Sequence, residues 1–528
     1  MKRFEKYLPA ALLAGALSLA PFAASPALAQ DADSSQAMPQ AVQQATQQTT
    51  IVGWPSHAHD AQHTSDANVA GQNMNSIHWS TPVDLKPILE DGEILIHYGS
   101  ALITPANTVI VPVKTAANSF RVEAHNGADG TLLWKLATNY HTPTSSFQPS
   151  FSPVLLGNNL YIQEAGGVVA VRSNPESPTG KLTRLVFFGE KNYAADPKAY
   201  IQNVLINTPI TADSQGNIFF GFIVQGSTPL NLQSGLARIS AAGVGTWVAA
   251  SAAANDPSIT KFDMNCAPAL SADEKTLYVG VNSFDFGFGY LLAMDTTTLA
   301  TTHSVRLKDP SSGMDATIPD ASSATPTVGP DGDVYFGVLE NPFPDHNDRG
   351  WLLHFDSTLT VTKTPGSFGW DDTASIVASS LVSSYPGRST YLVMTKYNNY
   401  AEIGTGNGVN TLAVLDPNNK ENDPIIPTTK VMKEVLTIKG VTPDPDFPNL
   451  PGAVREWCIN SAAVDPVTKS IMVNSEDGFM YRWDLTTNSF SQKIQLSLGI
   501  GEAYTPTEMG PDGTIYGIND AILDAIGQ

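Results

Sequence analysis

The chain has 528 residues, of which 42% are hydrophobic and 15% are charged, and its net charge at pH 7 is −21. This apolar content and low charge density exclude an intrinsically disordered chain. With 29 Lys and Arg against 50 Asp and Glu, most of the surface would repel a nucleic-acid backbone or an anionic membrane, so neither is an expected partner.

The N-terminus has the pattern of a bacterial export signal. Three basic residues precede an apolar run over 8–24 and an Ala-x-Ala cleavage pattern at 27–29, so residues 1–29 are predicted to be a cleaved signal peptide. Residues 30–50 are polar and rich in Gln, and too few large apolar side chains are present to offset the entropy cost of ordering them. We therefore expect a flexible leader, and a soluble protein that is periplasmic or secreted, without a membrane span.

The rest of the chain, residues 51–528, contains a repeated pattern. Each copy has a small or Pro-containing start, an apolar pair, a polar turn and an alternating apolar run, and the Asp-Gly or Asn at the centre is typical of a β-hairpin. Clear copies begin at Thr208, Thr325 and Thr505, and looser copies begin at Ser100, Ser152, Ala267, Ser380 and Ser461. The starts are 52, 56, 59, 58, 55, 81 and 44 residues apart, which predicts eight four-stranded units with an insertion in the sixth and a truncated eighth.

Eight such sheets favour one architecture. An open row of sheets would expose strand edges, whereas a radial arrangement protects them, so the repeat predicts an all-β fold consisting of one eight-bladed β-propeller. The last copy has residues for about three strands, and the segment 77–84 before the first copy could supply the missing outer strand. We therefore expect a ring that is closed by an N-terminal outer strand.

Two segments resemble a known family. The pattern Ala-x-Asn-x-x-Asp-Gly-x-x-x-Trp at 124–134 is similar to the tryptophan-docking repeat of the pyrroloquinoline-quinone (PQQ) type propellers. Trp54-Pro55, followed by Asp60, Gln62 and Thr64, is similar to the segment that opens many exported members. The resemblance implies an eight-bladed propeller, a fold that is shared by quinoprotein alcohol dehydrogenases and by the propeller lipoprotein of the outer-membrane assembly machine.

The resemblance does not extend to the chemistry of the dehydrogenases. Those enzymes carry a vicinal disulfide against PQQ, whereas this chain has only Cys266 and Cys458, far apart in sequence, so PQQ is not an expected cofactor. Common signatures for haem attachment, metalloproteases, serine hydrolases and nucleotide binding are also missing from the sequence. We expect a non-catalytic binding or scaffold protein for a small molecule or protein, and the alternative is an enzyme: a divergent PQQ- and Ca²⁺-dependent oxidoreductase, or a hydrolase or lyase.

The loops that lead into the innermost strands should gather at one mouth of the central channel. Residues proposed there for ligand binding are Asp263, Asn265, Asp371, Asp372, Trp457, Asn460 and Glu502, and candidate catalytic residues are Arg455, Glu456, His141 and Tyr504. Clustered carboxylates could bind Ca²⁺ or have raised pKa values, and Arg455 beside Trp457 could clamp a carboxylate. The alternatives are solvated acidic loops, and an ion pair with a packed indole.

Two further groups have open interpretations. His57, His59 and His63 have a spacing that could ligate a transition metal, although they lie in the segment that resembles the family's opening and could bind nothing. Cys266 and Cys458 suit an oxidising compartment, but they lie in loops of the fourth and seventh copies, and a disulfide needs Cα atoms within about 7 Å. They are therefore either a disulfide across the mouth or two buried thiols.

Overall fold

The computed structural model describes residues 53–90, 93–94, 96–143, 149–499 and 506–528. The predicted signal peptide and leader lie outside these ranges. In the described ranges, no helix has the length and apolar character needed to cross a bilayer.

The described residues form eight antiparallel sheets of three or more strands, arranged as the blades of a propeller, and this confirms the predicted fold class. Strand β1 (Ser76–Pro82) comes first and is followed by a small hairpin of β2 (Leu89–Glu90) and β3 (Glu93–Ile94). Blade 1 contains β4 (Leu102–Ile103), β5 (Thr108–Ala116), β6 (Ser119–Asn126) and β7 (Leu132–His141). Blade 2 contains β8 (Val154–Leu156), β9 (Asn159–Glu164), β10 (Val168–Ser173) and β11 (Leu182–Val186).

Short helices precede blade 3 and connect it to blade 4. Each of these two blades has an innermost strand that is split into two pieces. Helices α1 (Glu190–Ala195) and α2 (Pro197–Asn203) precede blade 3, which contains β12 (Val204–Ile206), β13 (Thr211–Ala212), β14 (Ile218–Val224), β15 (Gly235–Ile239) and β16 (Gly245–Ala249). Helix α3 (Ala250–Ala254) precedes blade 4, which contains β17 (Lys261–Phe262), β18 (Ala269–Leu270), β19 (Thr276–Asn282), β20 (Gly289–Asp295) and β21 (Thr301–Arg306).

The second half of the ring follows the same plan. Blade 5 contains β22 (Thr327–Val328), β23 (Val334–Val338) and β24 (Trp351–Phe355), and blade 6 contains β25 (Ser375–Ala378), a 3₁₀ turn (Ser379–Leu381), β26 (Tyr391–Tyr397), β27 (Thr411–Asn422) and β28 (Lys430–Lys439). Blade 7 contains β29 (Ala463–Asp465), β30 (Ser470–Asn474), β31 (Phe479–Asp484) and β32 (Ser489–Gln495). Blade 8 contains β33 (Thr507–Met509), β34 (Ile515–Asn519) and β35 (Ile522–Gly527).

Turn chemistry explains the clear copies of the repeat. In the first hairpins of blades 5 and 8, Gly332 and Gly513 have φ values of 88° and 83°, in the left-handed region that glycine adopts without steric cost. β-Branched and aromatic residues follow each turn, and the strands that they form are buried on both faces between neighbouring blades.

The N-terminal strand β1 closes the ring as predicted. It pairs antiparallel with β35, with Trp79 opposite Ala525 and Thr81 opposite Leu523, and so becomes the outer strand of blade 8. The Trp79 indole then donates to the carbonyl of Gly127 in blade 1 at 2.8 Å. Strand β1 therefore completes blade 8 through main-chain hydrogen bonds, and its Trp79 side chain links blade 8 to blade 1.

Two details of the repeat differ from the prediction. The sixth copy was predicted to begin at Ser380, but its innermost strand is Ser375–Ala378 and Ser380 lies in the 3₁₀ turn that follows. Blade 5 has three regular strands, because residues 362–366 make only isolated bridges at its outer edge, from Gly366 to Leu352 and from Thr362 to Phe355. In blade 6 a long loop, residues 379–390, separates the first two strands of the sheet.

A segment that we call the N-terminal strap, residues 53–75, runs along the axial edges of the innermost strands. Leu155, Leu270, Val328, Ile376 and Val464 donate their backbone N–H groups to strap carbonyls at 55, 61, 62, 64 and 65, in that order around the ring. Trp54 exchanges two backbone hydrogen bonds with Ile103 of blade 1. The strap therefore pairs strand edges that would otherwise face the channel unpaired.

Candidate functional site

The leading loops, which precede the innermost strands, place equivalent residues around the axis. In seven blades the fourth residue before the innermost strand is described, and these residues are Tyr98, Ser150, Asn207, Asn265, Ser323, Asp371 and Ile459. The Ser150 N–H of blade 2 donates to Asn265 Oδ1 of blade 4 at 2.8 Å, so residues of non-adjacent blades meet across the channel. This ring position is where the sequence predicted Asn265 and Asp371.

An axial cluster forms around Asp371, and we define it as His97, Asn265, Asp371 and Lys396. His97 Nε2 lies 3.4 Å from Asp371 Oδ1, and Lys396 Nζ lies 3.6 Å from Asp371 Oδ2. His97 Nδ1 lies 3.2 Å from the side-chain nitrogen of Asn265. All four residues are at most 3% exposed, so the cluster is enclosed by the blades that supply it.

The adjacent carboxylates of Asp371 and Asp372 have opposite electrostatic environments. Burial by itself would raise the pKa of Asp371, but the Lys396 ammonium and the contact with His97 hold it below its ordinary value. Burial raises the pKa of Asp372 to about 7, and the attraction of Lys396 and hydrogen bonds from Thr395 Oγ1 (2.5 Å) and the Lys396 N–H (3.1 Å) offset this only in part. Asp371 is therefore an anion inside an ion pair, and Asp372 titrates near neutral pH.

Asp263 lies in a second acidic group, on the side of the channel where blades 4 and 5 meet. Its carboxylate accepts a hydrogen bond of 3.3 Å from the Asn282 amide, which also contacts Asp320 Oδ1 at 3.4 Å. Burial, followed by the charge of Asp320, raises the pKa of Asp263 well above its ordinary value. Lys261 forms an ion pair with Asp320, so the outer carboxylate of this group is already compensated.

A third group, which we call the blade 7 cluster, combines residues of the loop that leads into blade 7 with one residue of the turn after β30: Arg455, Glu456, Cys458, Asn460 and Glu476. Arg455 Nη1 lies 2.8 Å from Glu476 Oε1, and its guanidinium also reaches the carboxylates of Asp444 and Asp446. Burial by itself would lower the pKa of Arg455, but these carboxylates raise it. Arg455 is therefore engaged by carboxylates of its own chain.

Trp457, next to this group, packs into the core. Its indole lies 5.4 Å from the Tyr481 ring and 5.6 Å from the Phe490 ring, and the residue is 1% exposed. The arrangement matches the second of the two sequence interpretations, an ion pair beside a packed indole.

Within the described residues, the group of three or more His, Cys, Asp or Glu side chains that could share one metal ion is Glu456, Cys458 and Glu476, whose ligand atoms lie within 4.8 Å of one another. His57, His59 and His63 lie in the strap and do not form such a group. The rings of His57 and His63 are 5.4 Å apart, edge to face, while His59 packs against Trp54 at 4.8 Å. Burial lowers the pKa of His57 to about 3, so it is a neutral imidazole.

Of the remaining catalytic and ligand-binding candidates, His141 is the one that the structure describes, and it lies away from the axis. His141 is exposed at the end of β7, the outermost strand of blade 1. Glu502 and Tyr504 lie outside the described residues. Cys266 and Cys458 are both buried and are not bonded to each other, so the disulfide alternative is not formed in this structure.

Sequence reasoning missed His97 and Lys396, the two residues that pair with Asp371. His97 lies one position before the ring position of blade 1. Lys396 lies in β26, Tyr391–Tyr397, all of whose residues are buried. A lysine inside an otherwise apolar strand was the signal that could have identified it, because a buried lysine needs a carboxylate partner.

No family model and no curated protein matches this chain. Among solved structures, the quinohemoprotein alcohol dehydrogenase from Comamonas testosteroni is similar at 12% identity and a TM-score of 0.52, over 90% of this chain and 77% of that one. BamB from Moraxella catarrhalis is similar at 11% identity and a TM-score of 0.42, over 86% of this chain and 97% of that one. A europium-containing methanol dehydrogenase aligns at 11% identity and a TM-score of 0.37, over 88% and 89% of the two chains.

The likeness to the quinohemoprotein alcohol dehydrogenase confirms the predicted PQQ-type propeller as a fold, and it extends to the fold alone. The cofactor that such a fold implies can be compared with the residues present. Cys266 and Cys458 belong to loops of different blades and are not a vicinal disulfide, and the axis is filled by the paired side chains of His97, Asp371 and Lys396. The described residues therefore do not fit PQQ.

Proposed function

We propose that this protein is an exported, non-catalytic binding or scaffold protein of the bacterial envelope or extracellular space, and that it binds its partner at the mouth formed by the leading loops. The observation that carries the proposal is the axial cluster. Its acidic and basic groups are buried and paired with one another, so they hold blades 1, 4 and 6 together, and none of the four is exposed for turnover.

A groove at this mouth supplies a surface for a partner. The long connection between blades 6 and 7, residues 440–454, folds over a groove of about 550 Å³ that is lined by Val441, Phe447, Leu450 and Val454. Val441 is 51% exposed, and Asp444, which forms part of the lining, is paired with Arg455. An apolar surface beside a charged pair has the composition of a protein interface, with an apolar centre and a polar rim.

The alternative of an enzyme at the mouth has less support. An acid or base for hydrolase or lyase chemistry must reach a substrate, within hydrogen-bond distance or through one water. Asp372 has a pKa of about 7, which suits such a role, but it is 2% exposed and its carboxylate already accepts two hydrogen bonds.

Site-specific photo-crosslinking tests the proposal. A photoreactive residue is placed at Val441 in the groove or, as a control, at Val467, which is 62% exposed in the turn between β29 and β30 at the opposite end of blade 7. In the producing bacterium, we expect a discrete crosslinked species from position 441 and none from position 467. Equal crosslinking at both positions, or none at 441, would contradict binding at this mouth.

A further inference from the structure

Two carboxylates and one thiol meet in the blade 7 cluster. One ligand atom each from Glu456, Cys458 and Glu476 lies within 4.8 Å of the others, although Glu476 is twenty positions away in the turn after β30. The main chains are joined there, because the Glu476 N–H donates to the Glu456 carbonyl at 3.3 Å. The three residues are 6%, 6% and 8% exposed, so their ligand atoms are shielded from solvent and the surrounding fold fixes their positions.

The alternation of side chains along this segment suggests a fourth polar donor. Trp457 and Ile459 both pack in the hydrophobic core between blades 6 and 7, and alternation along an extended segment then directs Glu456, Cys458 and Asn460 to the opposite face. Asn460 is 5% exposed, and its Oδ1 is buried without a hydrogen-bond donor. A buried amide oxygen without a hydrogen-bond donor costs folding free energy unless a cation or a water molecule binds to it.

Several carboxylates lie close together around this group. Arg455 is the ion-pair partner of Glu476, Asp444 and Asp446, and Glu456 adds a fourth carboxylate beside the same guanidinium. Three of the four acids, Glu456, Glu476 and Asp444, are at most 8% exposed. Desolvating several neighbouring carboxylates is costly, and a cation bound between them would offset part of that cost.

We propose that Glu456, Cys458 and Glu476 bind one divalent transition-metal ion of the Zn²⁺ class, with Asn460 Oδ1 as a candidate fourth ligand. Sulfur, carboxylate and amide donors suit this class, whereas Ca²⁺ and Mg²⁺ take oxygen donors alone. Binding converts the Cys458 thiol to a thiolate and releases its proton to solvent. The site lies next to the proposed partner groove but does not depend on the binding function, because the ion is held by the chain itself.

Metal titration of the chelator-treated, full-length mature protein tests the proposal, with thiols kept reduced. We expect one equivalent of Zn²⁺ by calorimetry, and one equivalent of Co²⁺ with thiolate-to-cobalt absorption. Cys458→Ser should abolish that absorption and weaken Zn²⁺ binding at least about tenfold, because even the loss of a hydrogen-bond partner of a ligand costs 10- to 100-fold.

The second cysteine supplies a matched control. Cys266 is equally buried, but it belongs to the hydrophobic cluster between blades 4 and 5, so Cys266→Ser should bind both metals like the wild type. Glu456→Gln keeps the side-chain size and should weaken binding while the circular dichroism spectrum stays native, which separates ligand loss from misfolding. Absence of stoichiometric binding, or equal binding by the wild type and the Cys458→Ser and Glu456→Gln variants, would overturn the proposal.

Discussion

Asp371 and Asp372 are neighbours in sequence, but their surroundings give them different charges. Asp371 contacts the ammonium of Lys396 and the imidazole of His97, which favour its anion, whereas burial dominates at Asp372. Asp371 therefore stabilises the ring through its ion pair, whereas burial favours the neutral acid at Asp372.

Replacing Asp371 tests the role of the axial ion pair. Asp371→Asn leaves Lys396 buried without its partner, and we expect a loss of about 3–5 kcal/mol in the free energy of unfolding, measured by urea titration. The control is Asp273→Asn, at an exposed pair with Lys275 whose side chains are 59% and 80% exposed; we expect at most about 1 kcal/mol there. Equal effects of the two substitutions would refute the assigned role of Asp371.

Asp372 should make the stability of the protein fall as pH rises. Its pKa is about 7 in the folded state and about 4 in an unfolded chain, so the folded state binds the extra proton; this contribution is complete below pH 4 and is lost as pH rises through 7. The slope from this group approaches about 1.4 kcal/mol per pH unit between these values. Asp372→Asn should flatten the unfolding free energy between pH 5 and 8.

Asp129 is the control for this pH series. It is exposed in blade 1, and hydrogen bonds from Thr131 lower its pKa, so Asp129→Asn should leave the slope between pH 5 and 8 unchanged. If Asp372→Asn kept the wild-type slope, the pKa assigned to Asp372 would be wrong.

At the scale of elements, the strap and β1 convert a row of sheets into a closed ring. Hairpin turns and alternating apolar residues were sufficient to predict the blades, and the incomplete eighth copy was sufficient to predict closure by β1. The path of the strap was not predictable, because its contacts are main-chain hydrogen bonds to strands that are up to about four hundred residues away and leave no side-chain pattern.

Hydrogen exchange measures the contribution of the strap. The amides of Leu270, Val328 and Ile376 donate to strap carbonyls, so we expect them to exchange as slowly as the central strands of their blades. In a chain that begins at Met74, the same amides should exchange rapidly, or the chain should fail to fold. Rapid exchange of these amides in the full-length protein would show that the strap is not paired as described.

Trp79 is the side chain that joins blade 8 to blade 1. Besides its hydrogen bond to Gly127, its ring stacks on His125 at 5.7 Å. We expect Trp79→Ala to lower the free energy of unfolding by about 3–5 kcal/mol. His78→Ala, on the adjacent and more exposed position of β1, should change it by no more than about 0.5 kcal/mol; a comparable loss in both variants would argue against closure through Trp79.

At the scale of the whole molecule, the number of blades and their closure followed from the spacing of the repeats, while the site followed only in part. Asn265 and Asp371 were predicted because they occupy the ring position, but the prediction of an open acidic mouth omitted the cations that neutralise it. The predicted start of the sixth copy, Ser380, falls after the observed innermost strand. The loop of the first hairpin is long there, and it contains a second Ser-rich sequence that resembles the start of a copy. Sequence spacing reports blade geometry, whereas the pairing of buried charges depends on contacts between blades.

The filled axis is the central feature of the molecule, and cofactor reconstitution tests it most directly. The protein is incubated with PQQ and Ca²⁺, passed through a desalting column, and assayed for quinone absorbance and for alcohol-dependent dye reduction. Because His97, Asp371 and Lys396 occupy the axis as a buried, paired group, we predict that PQQ is lost from the protein and that no dye is reduced. Retention of one PQQ per chain with alcohol-dependent dye reduction would contradict a filled axis and would favour the oxidoreductase alternative.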